Sequence, residues 1–292
     1  MGRRGWEHLP AEVRRGIEER VGSSALQVQE QTGPTTTAFS GAIHAGLESV
    51  FVKVVSQDVQ AESRARINEE RLSGLLPRVA PRVLWRFYSF QWVVTGYEYV
   101  DGHPARLYPG SLDIEPVVNL LADMAAHPPP GSVHFDTLAA RWSRIAPWRT
   151  LGTGSPKVLD AWERRRIRDF IDLESFVFEV LNGGTATAHT AIDESNLLVS
   201  RHGLRLVGWT WACRAPSWVD SALLAIRLVE AGHTPEQAEA WVRRTPAWRN
   251  AAADSLDAFA VSMLGLWVLR GNPGAGAARR YARYRLIGTE EL

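Results

Sequence analysis

The chain has 292 residues, 45% of them hydrophobic, enough to bury a sizeable core in one large domain or two moderate ones. A formal net charge of +1 gives no bulk electrostatic case for nucleic acid or an anionic membrane, and no run approaches the roughly 20 apolar residues of a membrane span. The single cysteine, Cys213, leaves no internal disulfide, and no apolar segment of a signal peptide follows Arg3 and Arg4, so a soluble cytoplasmic protein is expected.

Residues 6–21 set Val13, Ile17 and Val21 at four-residue steps behind Pro10, which predicts an amphipathic helix stopped by Gly22. Residues 25–31 alternate apolar and polar, a strand, and 33–41 (GPTTTAFSG) read as a loop. Residues 42–55 read as a hairpin turning near Gly46, with Lys53 inside the apolar run of its second strand. Basic residues are nearly all arginine, and lysine occurs only at 53 and 157. Strict alternation puts Phe51 and Val55 on the face of Lys53, so Lys53 either snorkels to the surface or needs a partner. Residues 61–76 form a predicted helix holding Glu62, Glu69 and Glu70. Two strands follow at 79–87 and 91–100, about a turn at 88–90.

Beyond residue 100 the pattern turns helical, which puts a boundary there: residues 1–99 are the β-rich part and 100–292 the helical part. Residues 112–126 are a periodic helix stopped by His127-Pro128-Pro129-Pro130-Gly131. Residues 131–155 read as loop, with Trp142 and Trp148 in it. A long helix is predicted over 158–182, ended by Asn182-Gly183-Gly184. Further helices are expected at 216–232, 235–245 and 251–270, with a basic helix-prone stretch at 277–285.

The most informative stretch is 187–211, TAHTAIDESNLLVSRHGLRLVGWTW. A polar loop with His189, Asp193, Glu194 and Asn196 leads into two short apolar runs about Arg201-His202-Gly203, a predicted hairpin. This stretch resembles the catalytic loop and metal-binding strand of the aminoglycoside phosphotransferase and choline kinase family. That family's loop reads His-x-Asp-x-x-x-x-Asn, and its second strand ends in Asp-Trp or Asp-Phe. Here the frame runs His189, position 191, Asn196, position 208. The resemblance implies an α+β, two-lobed protein-kinase-like fold with a small β-rich N-lobe and a larger, mainly helical C-lobe.

The resemblance also implies roles. Lys53 would reach the phosphates of ATP, paired with a glutamate of the following helix, for which Glu69 is favoured over Glu70. Residues 33–41 would cover the phosphates, although Thr35, Thr36 and Thr37 read equally as ordinary loop residues. Tyr97 to Gly102, including Glu98 and Val100, would meet the adenine edge through main chain. Asn196 would be a metal ligand, His189 would brace the loop, and Asp220 would bond loop backbone. Two positions depart from the pattern. The catalytic aspartate is replaced by Ala191 and the metal-binding aspartate by Gly208. In phosphoryl transfer those carboxylates take the substrate's proton and hold Mg²⁺.

The expectation is therefore a pseudokinase. It would bind a small-molecule ligand or a partner protein, with ATP held weakly or without Mg²⁺. Many relatives sit in secondary metabolism, so a place beside a biosynthetic enzyme is part of what the resemblance implies. The alternative is an active enzyme in which Asp193 or Glu194 substitutes for the missing acids, or in which His189, Asp193 and Glu194 run metal-free chemistry. Trp209 and Trp211, either side of the second hairpin strand's end, are expected to pack in the core. Cys213 reads as a small buried residue.

Overall fold

The computed structural model describes residues 5–22, 26–31, 38–57, 69–72, 74–76, 79–126, 136–154 and 158–287. It divides into two compact units, Met1–His103 with Leu198–Trp211, and Pro104–Leu197 with Ala212–Leu292. The expected α+β class holds: the N-terminal part is built on a sheet and the C-terminal part is mainly helical.

In the first unit, helix α1 (Ala11–Val21) ends at Gly22, whose left-handed backbone accepts the chain reversal. Strands β1 (Gln27–Glu30), β2 (Phe39–Ala45), β3 (Glu48–Ser56), β4 (Val83–Ser89) and β5 (Trp92–Glu98) form one antiparallel sheet in the order β1-β2-β3-β5-β4. The period-2 pattern of β3 decides which side faces α1. Val50, Val52 and Val54 are buried with Val13, Ile17, Phe39 and Ile43 in one apolar cluster. Phe51 and Lys53, on the opposite face, are half-buried. Strand β6 (Gly102–Pro104) joins β8 (Leu197–Ser200) and β9 (Gly203–Leu206) in a three-stranded sheet ordered β6-β8-β9.

The β8–β9 hairpin clusters with the first unit for a visible reason. The Leu206 N–H donates to the Val79 carbonyl at 3.0 Å. Arg205 donates to the carbonyls of Val79 and Ala80 and forks onto both carboxylate oxygens of Glu98 at 3.3 and 3.2 Å. A planar guanidinium meeting a carboxylate through two parallel bonds is among the stronger polar contacts a protein makes.

The second unit is built around α10 (Ala253–Leu269), a helix apolar nearly all round and accordingly buried nearly all round. Against it pack α4 (Pro147–Thr153), α6 (Ile167–Asn182), α7 (Val219–Glu230) and α11 (Ala275–Ile287). The unit also holds α2 (Ile114–Ala126), α3 (Leu138–Ser143), α5 (Ala161–Arg165), α8 (Pro235–Val242) and α9 (Pro246–Arg249), with β7 (Ala186–Ala188) paired antiparallel to β10 (Cys213–Ala215). Helix α11 is tied down by charge. Arg285 pairs with Glu239 and Asp257, and Arg279 with Glu163.

Several element boundaries differ from the sequence expectation. Within the stretch read as loop over 131–155, α3 and α4 form, and Trp142 and Trp148 are buried core residues. These helices have six and seven residues, too short to show a 3.6-residue period. They are held by specific bonds. Thr137 caps α3, the Glu174 carboxylate takes the Trp148 N–H at 2.8 Å, and Trp148 Nε1 donates to the Val261 carbonyl. The helix expected over 158–182 starts at the capping box of Asp160 and Glu163 and is two helices meeting at Arg166, whose backbone leaves the helical region at φ -106° and ψ 11°. The turn between β4 and β5 falls at Phe90-Gln91, with Phe90 at φ 50°, rather than at 88–90. The region expected as a helix over 235–245 stops at Val242, and a separate turn of helix starts at Pro246.

Candidate functional site

In the first unit, Lys53 Nζ donates to Glu69 Oε1 at 2.6 Å, and the two side chains are 14% and 10% exposed. Glu70 is engaged elsewhere, by Thr95 Oγ1 at 3.2 Å and by the Arg86 guanidinium. The snorkelling alternative for Lys53 does not occur. Its ammonium is drawn along the sheet to a carboxylate, and the Tyr97 ring centroid lies 5.6 Å from Nζ. Glu98 is held by Arg205 and Arg82. Burial pushes its pKa up, but the hydrogen bonds and charges of the two arginines outweigh that and hold the carboxyl below its usual range. Val100 lies past the end of β5 and is half-buried. Thr35, Thr36, Thr37 and Glu62 lie outside the described residues.

Gly208 has φ 77°, the left-handed region in which a side chain is strained. Trp209 beside it is buried, with Nε1 donating to the Leu206 carbonyl, whereas Trp211 is half exposed and not a core residue as expected.

In the second unit, β7 delivers the chain into the loop at 189–196. Gly184 has to be glycine there: a Cβ would lie 2.1 Å from the Ala215 carbonyl carbon and the Pro216 nitrogen. The loop is fixed by its backbone. Asp220, in the first turn of α7, accepts the N–H groups of His189 at 2.7 Å and Thr190 at 2.8 Å. Thr190 sits at φ 62°, a conformation that costs a β-branched residue and persists only where the surroundings impose it. Burial raises the Asp220 carboxyl to about 6 against the two N–H bonds, which favour its charged form. His189 is fully buried, and its Nδ1 accepts the Ala191 N–H at 3.3 Å. Arg227 Nε donates to the Ile192 carbonyl at 3.0 Å. Cys213, on β10, is buried, and burial pushes its thiol up to about 12.

The two acids of the loop are both bonded. Asp193 is the cap of a short turn at Glu194–Asn196, accepting from the Asn196 N–H at 3.1 Å and the Ser195 hydroxyl at 2.5 Å. Glu194 accepts the Leu107 N–H at 3.1 Å. Asn196 Nδ2 donates to the Ala191 carbonyl at 2.8 Å and to Asp193 Oδ2 at 3.4 Å. Sequence reasoning missed Arg205, Arg227 and the strain at Thr190. Arg205 and Glu98 are 107 positions apart, so no local pattern could pair them.

Asn196 and Gly208, where the resemblance places ligands, bring one amide oxygen and no carboxylate, and Mg²⁺ sites ordinarily use one or two carboxylates besides phosphate. Among the described residues, no group of three or more His, Cys, Asp or Glu side chains could hold a metal ion. Nor is any helix among them long and apolar enough to cross a membrane.

The sheet-based N-terminal part and the helical C-terminal part have the fold of kinase-like phosphotransferases. In particular, the chain is similar to a thermostable mutant of aminoglycoside phosphotransferase APH(4)-Ia, at TM-score 0.65 and 14% identity over 95% of this chain and 99% of that one. It is similar also to choline kinase LicA from Streptococcus pneumoniae, at TM-score 0.62 and 13% identity over 95% and 99%. A third such structure is aminoglycoside phosphotransferase APH(3'')-Id from Streptomyces rimosus, at TM-score 0.57 and 18% identity over 86% and 95%. No protein-family model and no curated protein matches the sequence.

Proposed function

We propose that this protein is a pseudokinase of the aminoglycoside phosphotransferase type, which binds a small-molecule ligand or a partner protein and has lost ATP-dependent phosphoryl transfer. The observation that carries this reading is Ala191 and Gly208 in a loop frame otherwise kept. Phosphoryl transfer in kinase-like enzymes needs one carboxylate for the hydroxyl proton and another for the metal, and a methyl group and a hydrogen supply neither. The competing idea of a substitute acid is weakened by the bonding of the loop. The Asp193 carboxylate is occupied by Asn196 and Ser195, and Glu194 by the Leu107 N–H.

Binding without chemistry is consistent with what remains. Lys53 and Glu69 are paired, a positive group suited to an anionic ligand. An aspartate-to-alanine variant of APH(4)-Ia, 16% identical to this chain, forms a ternary complex with ADP and hygromycin B. That fold therefore holds two ligands with an aspartate replaced by alanine. The near-neutral charge supports neither nucleic acid nor an anionic membrane as partner.

The test is thermal stability with ATP, with and without Mg²⁺, since a ligand of the native state stabilises it by mass action. A shift that Mg²⁺ does not increase supports a metal-independent nucleotide binder. No shift with either directs the search to a partner protein or another ligand. A large Mg²⁺-dependent shift together with ATP turnover by the natural chain refutes the proposal. Restoring both carboxylates (Ala191→Asp with Gly208→Asp) and assaying turnover then asks whether the remaining residues still support the reaction.

A further inference from the structure

The helical turn at 69–72 is tied to the sheet twice. Glu69 takes the Lys53 ammonium from β3. Glu70 takes the Thr95 hydroxyl from β5 and the Arg86 guanidinium from β4. These three partners form one cross-strand row, Lys53 opposite Thr95 and Thr95 opposite Arg86. Consecutive residues of a helix project about 100° apart, so neighbouring glutamates reach different strands. Leu72 of the same turn is fully buried, and two polar ties in different directions add to that packing in setting the turn's rotation about its axis. The Glu70 side chain is nearly as withdrawn from water as Glu69, which makes a bonded position strongly preferred over an unpaired one.

We propose that Glu70, through Arg86 and Thr95, is a positioning residue that keeps the Lys53–Glu69 pair closed in the ligand-free protein. Lys53 then meets a ligand as an ammonium already fixed in place, and binding requires no prior movement of the helix. The inference concerns the protein without ligand. It therefore stands or falls separately from the loss of phosphoryl transfer.

The chain's lysine content makes the test direct. With lysine only at 53 and 157, acylation by an amine-reactive ester, read by peptide mass spectrometry, reports Lys53 with Lys157 as reference in the same sample. Glu69→Gln, which removes the partner, raises the Lys53-to-Lys157 labelling ratio. Glu70→Gln touches neither member of the pair, yet raises the ratio by about threefold or more, as expected on losing a charge-assisted hydrogen bond. Arg86→Gln does the same, while Arg86→Lys, which keeps a cation, stays near the natural chain. A purely structural role would lower the melting temperature equally for Arg86→Lys and Arg86→Gln without separating their labelling ratios. Should Glu70→Gln fail to fold, Thr95→Val cuts the same tie from β5. An unchanged ratio in Glu70→Gln and Arg86→Gln beside a raised one in Glu69→Gln means that Glu69 closes the pair unaided, and overturns the proposal. An unchanged ratio in Glu69→Gln overturns it too, because the pair is then not closed in solution.

Discussion

The charged cluster at the sheet of the first unit and the loop at 189–196 of the second are held together by different kinds of bond. The cluster is held by side chains: Lys53 and Arg86 of the sheet pair with Glu69 and Glu70 of the helical turn, and Thr95 adds a hydrogen bond to Glu70. The loop keeps its backbone: Asp220 holds two N–H groups, His189 a third, and Thr190 remains in a strained conformation. What the loop lacks is a reactive side chain at position 191. The contrast shows that a loop's frame and its chemistry are separable. The hydrogen bonds that shape it run through backbone N–H groups, Asp220 and His189, so the side chain at 191 can be changed without cutting them.

If that separation is right, the largest loss of stability follows from cutting the frame. Asp220→Ala leaves the buried His189 N–H and the part-buried Thr190 N–H without their acceptor, at about 1–3 kcal/mol each, so urea unfolding should show a loss of about 3 kcal/mol or more. Lys53→Met in the other region leaves one acceptor, the Glu69 carboxylate at 10% exposure, without its partner and should cost less, about 1–3 kcal/mol. Equal losses, or a larger one for Lys53→Met, would break the comparison.

Acidity sharpens the same contrast, because Asp220 is held charged at a site that disfavours charge. Its folded pKa of about 6 lies above the ordinary 3.8, so the folded state holds this proton more tightly than the unfolded state. The group's contribution to stability is thus full below 3.8, is lost as pH rises to about 6, and is level above. Glu239 behaves oppositely. Burial raises its pKa, but Arg285 and Arg243 outweigh that and lower it, so its contribution is present above 4.5 and lost as pH falls. Glu174 and Asp257, both raised, slope in the same direction as Asp220. The natural chain's profile therefore mixes several groups, and the difference from Asp220→Asn isolates one. That difference should change with pH over roughly 4 to 6 and flatten above, in unfolding midpoints measured across the range.

The sequence made some of this legible and not the rest, for physical reasons. Strand β3 and helix α1 were readable because burying one face imposes a period, two for the valines of β3 and near four for Val13, Ile17 and Val21. The β8–β9 hairpin was readable because Gly203 marks its turn, here at φ 104°. Helices α3 and α4 were not, since their stability comes from Thr137, Glu174 and Val261 rather than from a periodic face of their own. At the candidate site, the loop frame could be read as spacing along the chain. The duties of Asp193 and Glu194 could not. A cap bond within three residues looks like any polar loop, and the Leu107 N–H that occupies Glu194 is 87 positions away.

The smallest expected effect is the most discriminating. Gly208 and Ala191 both stand where the resemblance puts an aspartate, yet their backbones differ, and φ 77° at 208 penalises any side chain. Aspartate tolerates the left-handed region better than most residues, so Gly208→Asp should cost about 1 kcal/mol, whereas β-branched Gly208→Val should cost about 2 kcal/mol or more. Ala191→Asp, at a half-buried position without a positive φ, should stay within about 0.5 kcal/mol. Thermal unfolding of the three variants ranks them. The order Val, then Asp at 208, then Asp at 191 means that the backbone at both places accepts a carboxylate. A cost for Gly208→Asp equal to that of Gly208→Val would instead mean that the packing around position 208 leaves no room for a carboxylate.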